Sequence, residues 1–263
     1  MTKPPINRPL HKSVTARISD ISQPRGGYLN PKALVAVCLG DGIETLFPDE
    51  NVHANIVGMA VDYLTRFMTG SSLEDAFKIS ILGAEKAQQL SNAEELLRKV
   101  TGIDYESIVC ACKLVGYDSV HRAGMAYFRP VDDIVADEQT AKNIAEMVKR
   151  SMSFFDVVGE KTLDGFDLKG AYTDYVSAGD GDFLTKDTLW DFKVSKSKPA
   201  VRDTLQLLMY WQMGLRSIHA EFSDVEKLGI FNPRLNTMYT IKTELIDSFV
   251  IDEVCDKVIG YGF

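Results

Sequence analysis

The segment GDGDFLTKDTLWDFKVSKSK, residues 179–198, brings the residue types that do acid and metal chemistry into one short stretch. Phe183-Leu184-Thr185 and Thr188-Leu189-Trp190 have the composition of two short strands, with Lys186-Asp187 between them. If the hairpin closes at that turn, Thr185 faces Thr188 and Asp182 faces Asp191. Directly opposed residues share a sheet face, with Cβ atoms roughly 4.5–5.5 Å apart. Lys193, two residues beyond Asp191, points to the same face. Two carboxylates so close repel each other and raise each other's pKa unless a cation intervenes. Oxygen-only donors of this kind suit Mg²⁺ or Mn²⁺, and Lys193 would orient a water or stabilise developing negative charge. A D-x-K triplet by itself carries little information. Here Phe183, Leu184, Leu189, Trp190, Phe192 and Val194 frame the polar trio, which a solvated acidic loop would not require.

The trio resembles the active site of PD-(D/E)XK nucleases, in which an Asp, then Asp or Glu, then x-Lys sit on a β-hairpin. Downstream, Gln206-Leu207-Leu208-Met209-Tyr210 is similar to the Q-x-x-x-Y motif of the RecB-like branch of that family. Gln206 and Tyr210 are four apart and share one helix face. The resemblance implies a restriction-endonuclease-like fold and metal-dependent hydrolysis of phosphodiester bonds, with DNA as the expected partner and exonuclease or nickase action. It implies Asp182, Asp191 and the Phe192 carbonyl as ligands of Mg²⁺ or Mn²⁺, Lys193 as the catalytic lysine, and Gln206 and Tyr210 as substrate-positioning groups. Lys196 and Arg202 belong to a basic run beside this trio and are assigned to the substrate. The branch often carries G-x-x-x-H on an early helix. Gly58-Met59-Ala60-Val61-Asp62 stands in the comparable place, so Asp62 would replace the histidine as a third ligand, with His53 a lesser candidate. Asp174 competes with Asp182 for the first-aspartate role, Asp180 is expected to face Lys193, and Glu160 is a further acidic group upstream. Iron–sulfur members of the branch need a late group of three cysteines. Only Cys255 is late here, so no iron–sulfur cluster is expected.

These residues must be held by elements, and the chain divides by hydrophobic period. Residues 1–30, rich in Pro, Ser, Arg and Gly, predict a basic extended arm. From about 31 to 153 the pattern is helical: NPKALVAVCLG with Asn30 as cap and Pro31 at the first position, VHANIVGMAVDYLTRFMTG ending at Gly70, then SLEDAFKISILGAEKAQQL, NAEELLRKV, YESIVCACKLVG and TAKNIAEMVKRSMSFF. Between 155 and 194 short alternating runs predict strands. A helix over roughly 200–216, strands at LGIFNP and NTMYTIKT, and a last helix over about 247–258 follow. The expected class is mixed α/β, a mixed sheet flanked by helices with an N-terminal helical annex. Residues 31–263 form one domain with a helical insertion at about 70–150.

Composition narrows the function classes. At 263 residues, 45% hydrophobic and 25% charged, the chain reads as a globular protein, and a net charge of −8 argues against nonspecific coating of nucleic acid. It leaves room for a local basic groove, since surface fields decay over a Debye length of roughly 8–10 Å. No apolar run approaches the roughly 20 residues that span a bilayer, and the N-terminus lacks a secretory core, so a cytoplasmic location without membrane contact is expected. Cys110 and Cys112 are read as buried reduced thiols. Two competing classes stay open: a non-catalytic nuclease-fold protein that binds nucleic acid or a protein partner, and a helical interaction protein. A homo-oligomer is compatible with either.

Overall fold

The computed structural model describes residues 12–40 and 45–262. Six strands form one mixed sheet: β1 (Val35–Cys38), β2 (Leu163–Asp167), β3 (Asp180–Leu184), β4 (Thr188–Phe192), β5 (Lys227–Asn232) and β6 (Thr237–Lys242). Their order is β1-β6-β5-β4-β3-β2, with β4 and β5 parallel and every other pair antiparallel. Helices α1 (Val14–Asp20), α2 (Ala54–Met68), α3 (Leu73–Ala76), α4 (Lys78–Lys86), α5 (Leu90–Lys99), α6 (Tyr105–Val115), α7 (Asp118–Ala123), α8 (Glu138–Val158), α9 (Val201–Gly214) and α10 (Ser248–Glu253) complete it. The protein is therefore mixed α/β, a sheet flanked by helices with a helical annex, as expected from its hydrophobic periods.

Each sheet face has its own apolar layer. Leu184, Leu189, Leu228 and Ile230 meet Leu205, Leu208 and Met209 of α9, and α1 and the C-terminal turns close this layer. On the opposite face Phe154 of α8 stacks on Phe231, with ring centroids 4.2 Å apart, and meets Trp190 edge-on at 4.8 Å. Gly229 lies opposite Trp190 in the ladder and makes room for its ring: a Cβ there would sit 2.4 Å from Trp190 Cε3. The annex packs α2 and α4 to α7 around the N-terminal half of α8, through Ile144, Met147 and Val148. Helix α8, capped by Asp137 onto the Thr140 amide and ended at Gly159 (φ 89°), thus runs from the annex to the sheet.

Three sequence expectations need correction. Part of the arm is not extended: α1 lies within it, capped by Ser13, with Val14 and Ile18 buried against the α9 layer. Two of its cations are spent on the fold. Arg17 donates to the carbonyls of Lys257 and Val258, and Lys12 pairs with Asp20 at 2.5 Å. Lys3 and Arg8 lie outside the described residues. The helix expected from Pro31 stops after one 3₁₀ turn, Pro31–Ala33. Val35-Ala36-Val37-Cys38 then joins the sheet edge as β1, because β-branched residues fit a pleated edge better than a helix. The helix from Ser72 breaks at Phe77 into α3 and α4. Cys110, Cys112 and Cys255 are buried free thiols and Cys38 is an exposed one. Among the described residues no helix is long and apolar enough to cross a membrane.

Candidate metal and phosphodiester site

The hairpin β3–β4 closes in the register its sequence dictates. Leu184 pairs with Leu189 and Phe183 with Trp190, and the Thr185 amide donates to the Thr188 carbonyl at 3.0 Å. The next pair would be Asp182 and Asp191, and there the two strands stop sharing backbone bonds. The Phe192 amide instead donates to Asp182 Oδ2 at 2.6 Å, while Asp191 and Phe192 stay laddered to Ile230 and Phe231 of β5. The carboxylate of Asp182 is therefore wedged where the hairpin opens. Gly181 just before it admits the Phe166 ring, since a Cβ there would lie 2.1 Å from Phe166 Cζ.

Asp191 interrupts an otherwise apolar central strand and is 2% exposed. A buried carboxylate needs compensating partners, and α9 supplies them from the crossover between β4 and β5. Gln206 Nε2 donates to Asp191 Oδ1 at 3.3 Å and to the Tyr210 hydroxyl at 2.8 Å, while Gln206 Oε1 accepts from Lys193 Nζ at 3.1 Å. Lys193 Nζ also lies 3.0 Å from Asp191 Oδ2, an ion pair without hydrogen-bond direction, so that oxygen has no well-aligned donor. One amide thus fixes the carboxylate, the ammonium and the phenol together. Gln206 and Tyr210 are themselves buried, so they stand behind the carboxylates and do not face solvent.

The charges are strongly perturbed. Burial raises the Asp182 carboxyl, and the neighbouring Asp191 and Asp62 charges add to it, bringing it to about 7 against the opposing pull of Lys193 and the Phe192 amide. Burial also raises Asp191, against Lys193. Burial opposes the charge on Lys193, but Asp191 and Asp182 outweigh it and hold its pKa above the usual value. Burial, and then the field of both aspartates, keeps the Tyr210 phenol neutral far above its ordinary range.

Asp182, Phe192, Lys193 and Val194 line a cavity of about 680 Å³ together with residues of α2, α6, α7 and the turns after it. Asp62 and Gly58 of α2 line the same cavity, and so does His53, whose Nδ1 caps α2 by accepting from the Asn55 amide. Asp62 is engaged by Arg66, whose Nε donates to its Oδ1 at 3.0 Å. Arg66 was not singled out by its sequence context. It lies one turn beyond Asp62, and Asp62 first, with Asp182 and Asp164 adding to it, holds its charge against burial. The signal was available as an Asp-x-x-x-Arg pair on the helix face that carries Asp62.

Of the other expected residues Arg202 shares a pocket with Lys193, while Lys196, Asp174 and Glu160 lie apart. Lys196 donates to the Pro48 carbonyl at 2.6 Å beside a different cavity, with Arg150 and Arg234. Arg202 is exposed on the rim of a pocket of about 180 Å³ that Lys193 also borders, along with Ser195, Ser197 and Asn232. Asp174 is exposed on a loop, Asp180 pairs across to Asp167 of β2, and Glu160 borders a separate cavity with Lys161 and Asp164.

Searches against protein-family models, curated proteins and solved structures return no match. The site must be read on its own geometry.

Among the described residues no three His, Cys, Asp or Glu side chains are gathered as a metal-holding group. Two carboxylates suffice for Mg²⁺, which keeps several waters and completes its shell with substrate phosphate. The adjoining buried aspartates, and an Asp191 oxygen without a directed donor, fit such an ion.

Proposed function

We propose that this protein is a metal-dependent nuclease that hydrolyses phosphodiester bonds, with DNA as the preferred substrate. The observation that carries this reading is the placement of Asp182, Asp191 and Lys193 at the opened end of one hairpin, locked from behind by Gln206. Asp182 and Asp191 would hold Mg²⁺ or Mn²⁺, which when bound polarises a phosphoryl oxygen and acidifies a water. Lys193 borders both cavities at the site, so its ammonium can reach a phosphate oxygen on which charge develops while its stem stays packed. Gln206 keeps the Asp191 carboxylate and the Lys193 ammonium at a fixed separation, a preorganisation that water would not supply. Tyr210 acts through Gln206. Asp62 and Arg66 close the far side of the carboxylate pair, where Asp62 raises local negative charge and Arg66 balances it.

The test is cleavage of labelled linear, circular and single-stranded DNA in Mg²⁺ or Mn²⁺ by wild type, Lys193→Ala and Asp191→Ala. Metal-dependent cutting lost in both variants is expected, and uncut circles would assign an exonuclease. The engagement of Asp62 by Arg66 favours a second reading, a nuclease fold that binds strands without cutting them. Intact DNA and RNA after incubation with either metal, together with a mobility shift of the strand, would favour that reading over the first.

A further inference from the structure

The cavity that Asp182 and Lys193 line is shared with a different set of side chains, from the annex. Arg122 of α7, Arg129 and Tyr127 are among them. All three are exposed, Tyr127 by 60%. The same cavity is lined by the apolar side chains Ile56, Met59, Val115, Ile134, Phe192 and Val194, with Asp62 and Asp118 also on its surface. Cations and an open aromatic ring beside apolar side chains are what a strand with flat bases and a charged backbone requires.

These side chains are held in place. Asp118 at the start of α7 is 1% exposed and accepts from the Tyr63 hydroxyl at 2.5 Å and from Ser80 Oγ at 2.6 Å, which anchors α7 to α2 and α4. Arg122 lies one turn on, with Nε 3.9 Å from Asp118 Oδ2 and its side chain half exposed to the cavity. Tyr127 sits on a 3₁₀ turn, Met125–Tyr127, entered through Gly124 at φ 93°. The Ser119 hydroxyl donates to the Tyr127 carbonyl at 3.2 Å, and the adjoining Phe128 ring stacks on Tyr117 at 6.4 Å. An exposed tyrosine on a turn fixed from both sides is a platform whose ordering precedes binding.

We propose that the annex is the substrate-reading wall of this protein, and that the cleft takes single-stranded nucleic acid. Arg122 and Arg129 contact phosphates, Tyr127 stacks a base, and the strand runs on toward Asp182 and Lys193. Single strands are favoured over duplex on two grounds. The cavity is of the size that encloses a small ligand, roughly 300–1,000 Å³, and at about 680 Å³ it admits one or two unpaired nucleotides. Its apolar side chains would also meet base faces, which a duplex keeps stacked within itself. The lining sets Arg122, Arg129 and Lys193 against Asp62, Asp118 and Asp182, so in a chain of net charge −8 binding rests on placed contacts and not on a net field. The proposal uses the site of the nuclease reading but does not depend on catalysis.

The experiment is fluorescence anisotropy of labelled single-stranded DNA, single-stranded RNA and blunt duplex with the full chain in EDTA. It compares wild type, Tyr127→Ala, Arg122→Ala, Arg129→Ala and the exposed control Lys142→Ala. Tyr127→Ala should weaken single-strand binding by roughly 5- to 150-fold, the range for loss of one stacked base. Each arginine variant should lower the slope of log affinity against log salt by about 0.7, the value for one phosphate contact on a single strand. Lys142→Ala should change neither. Arg122→Lys separates charge from fold, because it should restore the salt slope if Arg122 meets a phosphate. Tighter binding of duplex, or Tyr127 and arginine variants that bind like wild type, would overturn the proposal. In parallel, wild type and Lys193→Ala are assayed on bis(4-nitrophenyl) phosphate with Mn²⁺, which needs no strand-binding wall. Hydrolysis without annex-dependent strand binding would retain the nuclease reading and refute this one. Annex-dependent binding without hydrolysis would do the reverse.

Discussion

At the scale of single residues, Asp182 is poised by opposing forces that make a definite stability signature. Its carboxyl sits at about 7 when folded, because burial and the Asp191 and Asp62 charges disfavour ionisation. An unfolded aspartate titrates near 3.9. Between roughly pH 4 and pH 7 the folded chain therefore binds more protons than the unfolded one, and the contribution of Asp182 to stability falls as pH rises. In EDTA, the Tm of wild type minus that of Asp182→Asn should decline across this window and level off above it. A difference that climbs with pH would refute the assignment. Mg²⁺ should raise the wild-type Tm at pH 8 and leave the Asn variant unmoved. Gln206 makes a second residue-scale case. Gln206→Leu keeps volume but strips Asp191 Oδ1 and the Tyr210 hydroxyl of their donor, and a buried group so orphaned costs about 1–3 kcal/mol. The proposed cleavage should fall in kcat more than KM changes, since Gln206 touches no substrate, and chemical denaturation should read the stability loss. Lys193→Ala should reduce kcat by about 100- to 1,000-fold, the range for removing one preorganised electrostatic group. The trio was legible before the structure because hairpin pairing is arithmetic: once the turn is placed at Lys186-Asp187, the partners of Phe183 and Leu184 follow. The engagement of Asp62 by Arg66 was not legible in the same way. An i, i+4 pair on a helix is usually a solvated surface feature, and the approach of β2 encloses this one: a Cβ at Gly165 would lie 3.1 Å from Arg66 Nη1.

At the scale of elements, what positions the site is the crossover β4–α9–β5. It lays a helix buried from Thr204 to Gly214 under the central strand, so that Gln206 and Tyr210 meet Asp191 while Leu205, Leu208 and Met209 hold the helix to the sheet. Strand β4 is pinned on its other face by Trp190 over Gly229. Gly229→Ala would push a methyl into the indole, and overpacking of this kind destabilises by roughly 1–3 kcal/mol. Because Trp190 precedes Asp191, the same substitution should also lower the proposed activity beyond what the stability loss explains. Wild-type turnover in a folded Gly229→Ala protein would show that β4 does not transmit the shift. Long amphipathic helices such as α2, α8 and α9 are readable from spacing, and β5 and β6 as two short strand-like runs on either side of the turn at 232–236. The failures were local. The 3₁₀ turn before β1 has a sound helical cap in Asn30 and Pro31, and pairing with β6 overrides it. Helix α1 lay in a stretch whose composition looks like linker, and its two buried residues, Val14 and Ile18, are too few to set a period.

At the scale of the whole molecule, two apolar clusters share one helix. Met147 and Val148 of α8 lie in the annex cluster, while Phe154, two turns on, packs on the sheet with Phe183, Trp190 and Phe231. Phe192 and Val194, which border the carboxylate site, also pack against the annex cluster, so the site strand and the annex are in direct contact. A helix that melts in one half loses hydrogen bonds and packing in the other, and elongation along a helix is cooperative. Annex and sheet should therefore unfold as one unit. Phe154→Ala, a loss of about 3–5 kcal/mol, and Met147→Ala, about 2–5 kcal/mol, should each shift a single calorimetric transition, with far-UV and near-UV melts coincident. Two resolved transitions, with Met147→Ala moving one and Phe154→Ala the other, would make the annex an independent unit hung on the core. The distinction reaches function. If the annex is part of one cooperative body, the wall that carries Arg122, Tyr127 and Arg129 keeps a fixed distance from Asp182 and Lys193, and annex mutations that spare the fold should alter affinity without altering where a strand is cut. If it melts separately, the same mutations should blur the cut position. Mapping cleavage products of an end-labelled strand at temperatures below the first transition distinguishes the two.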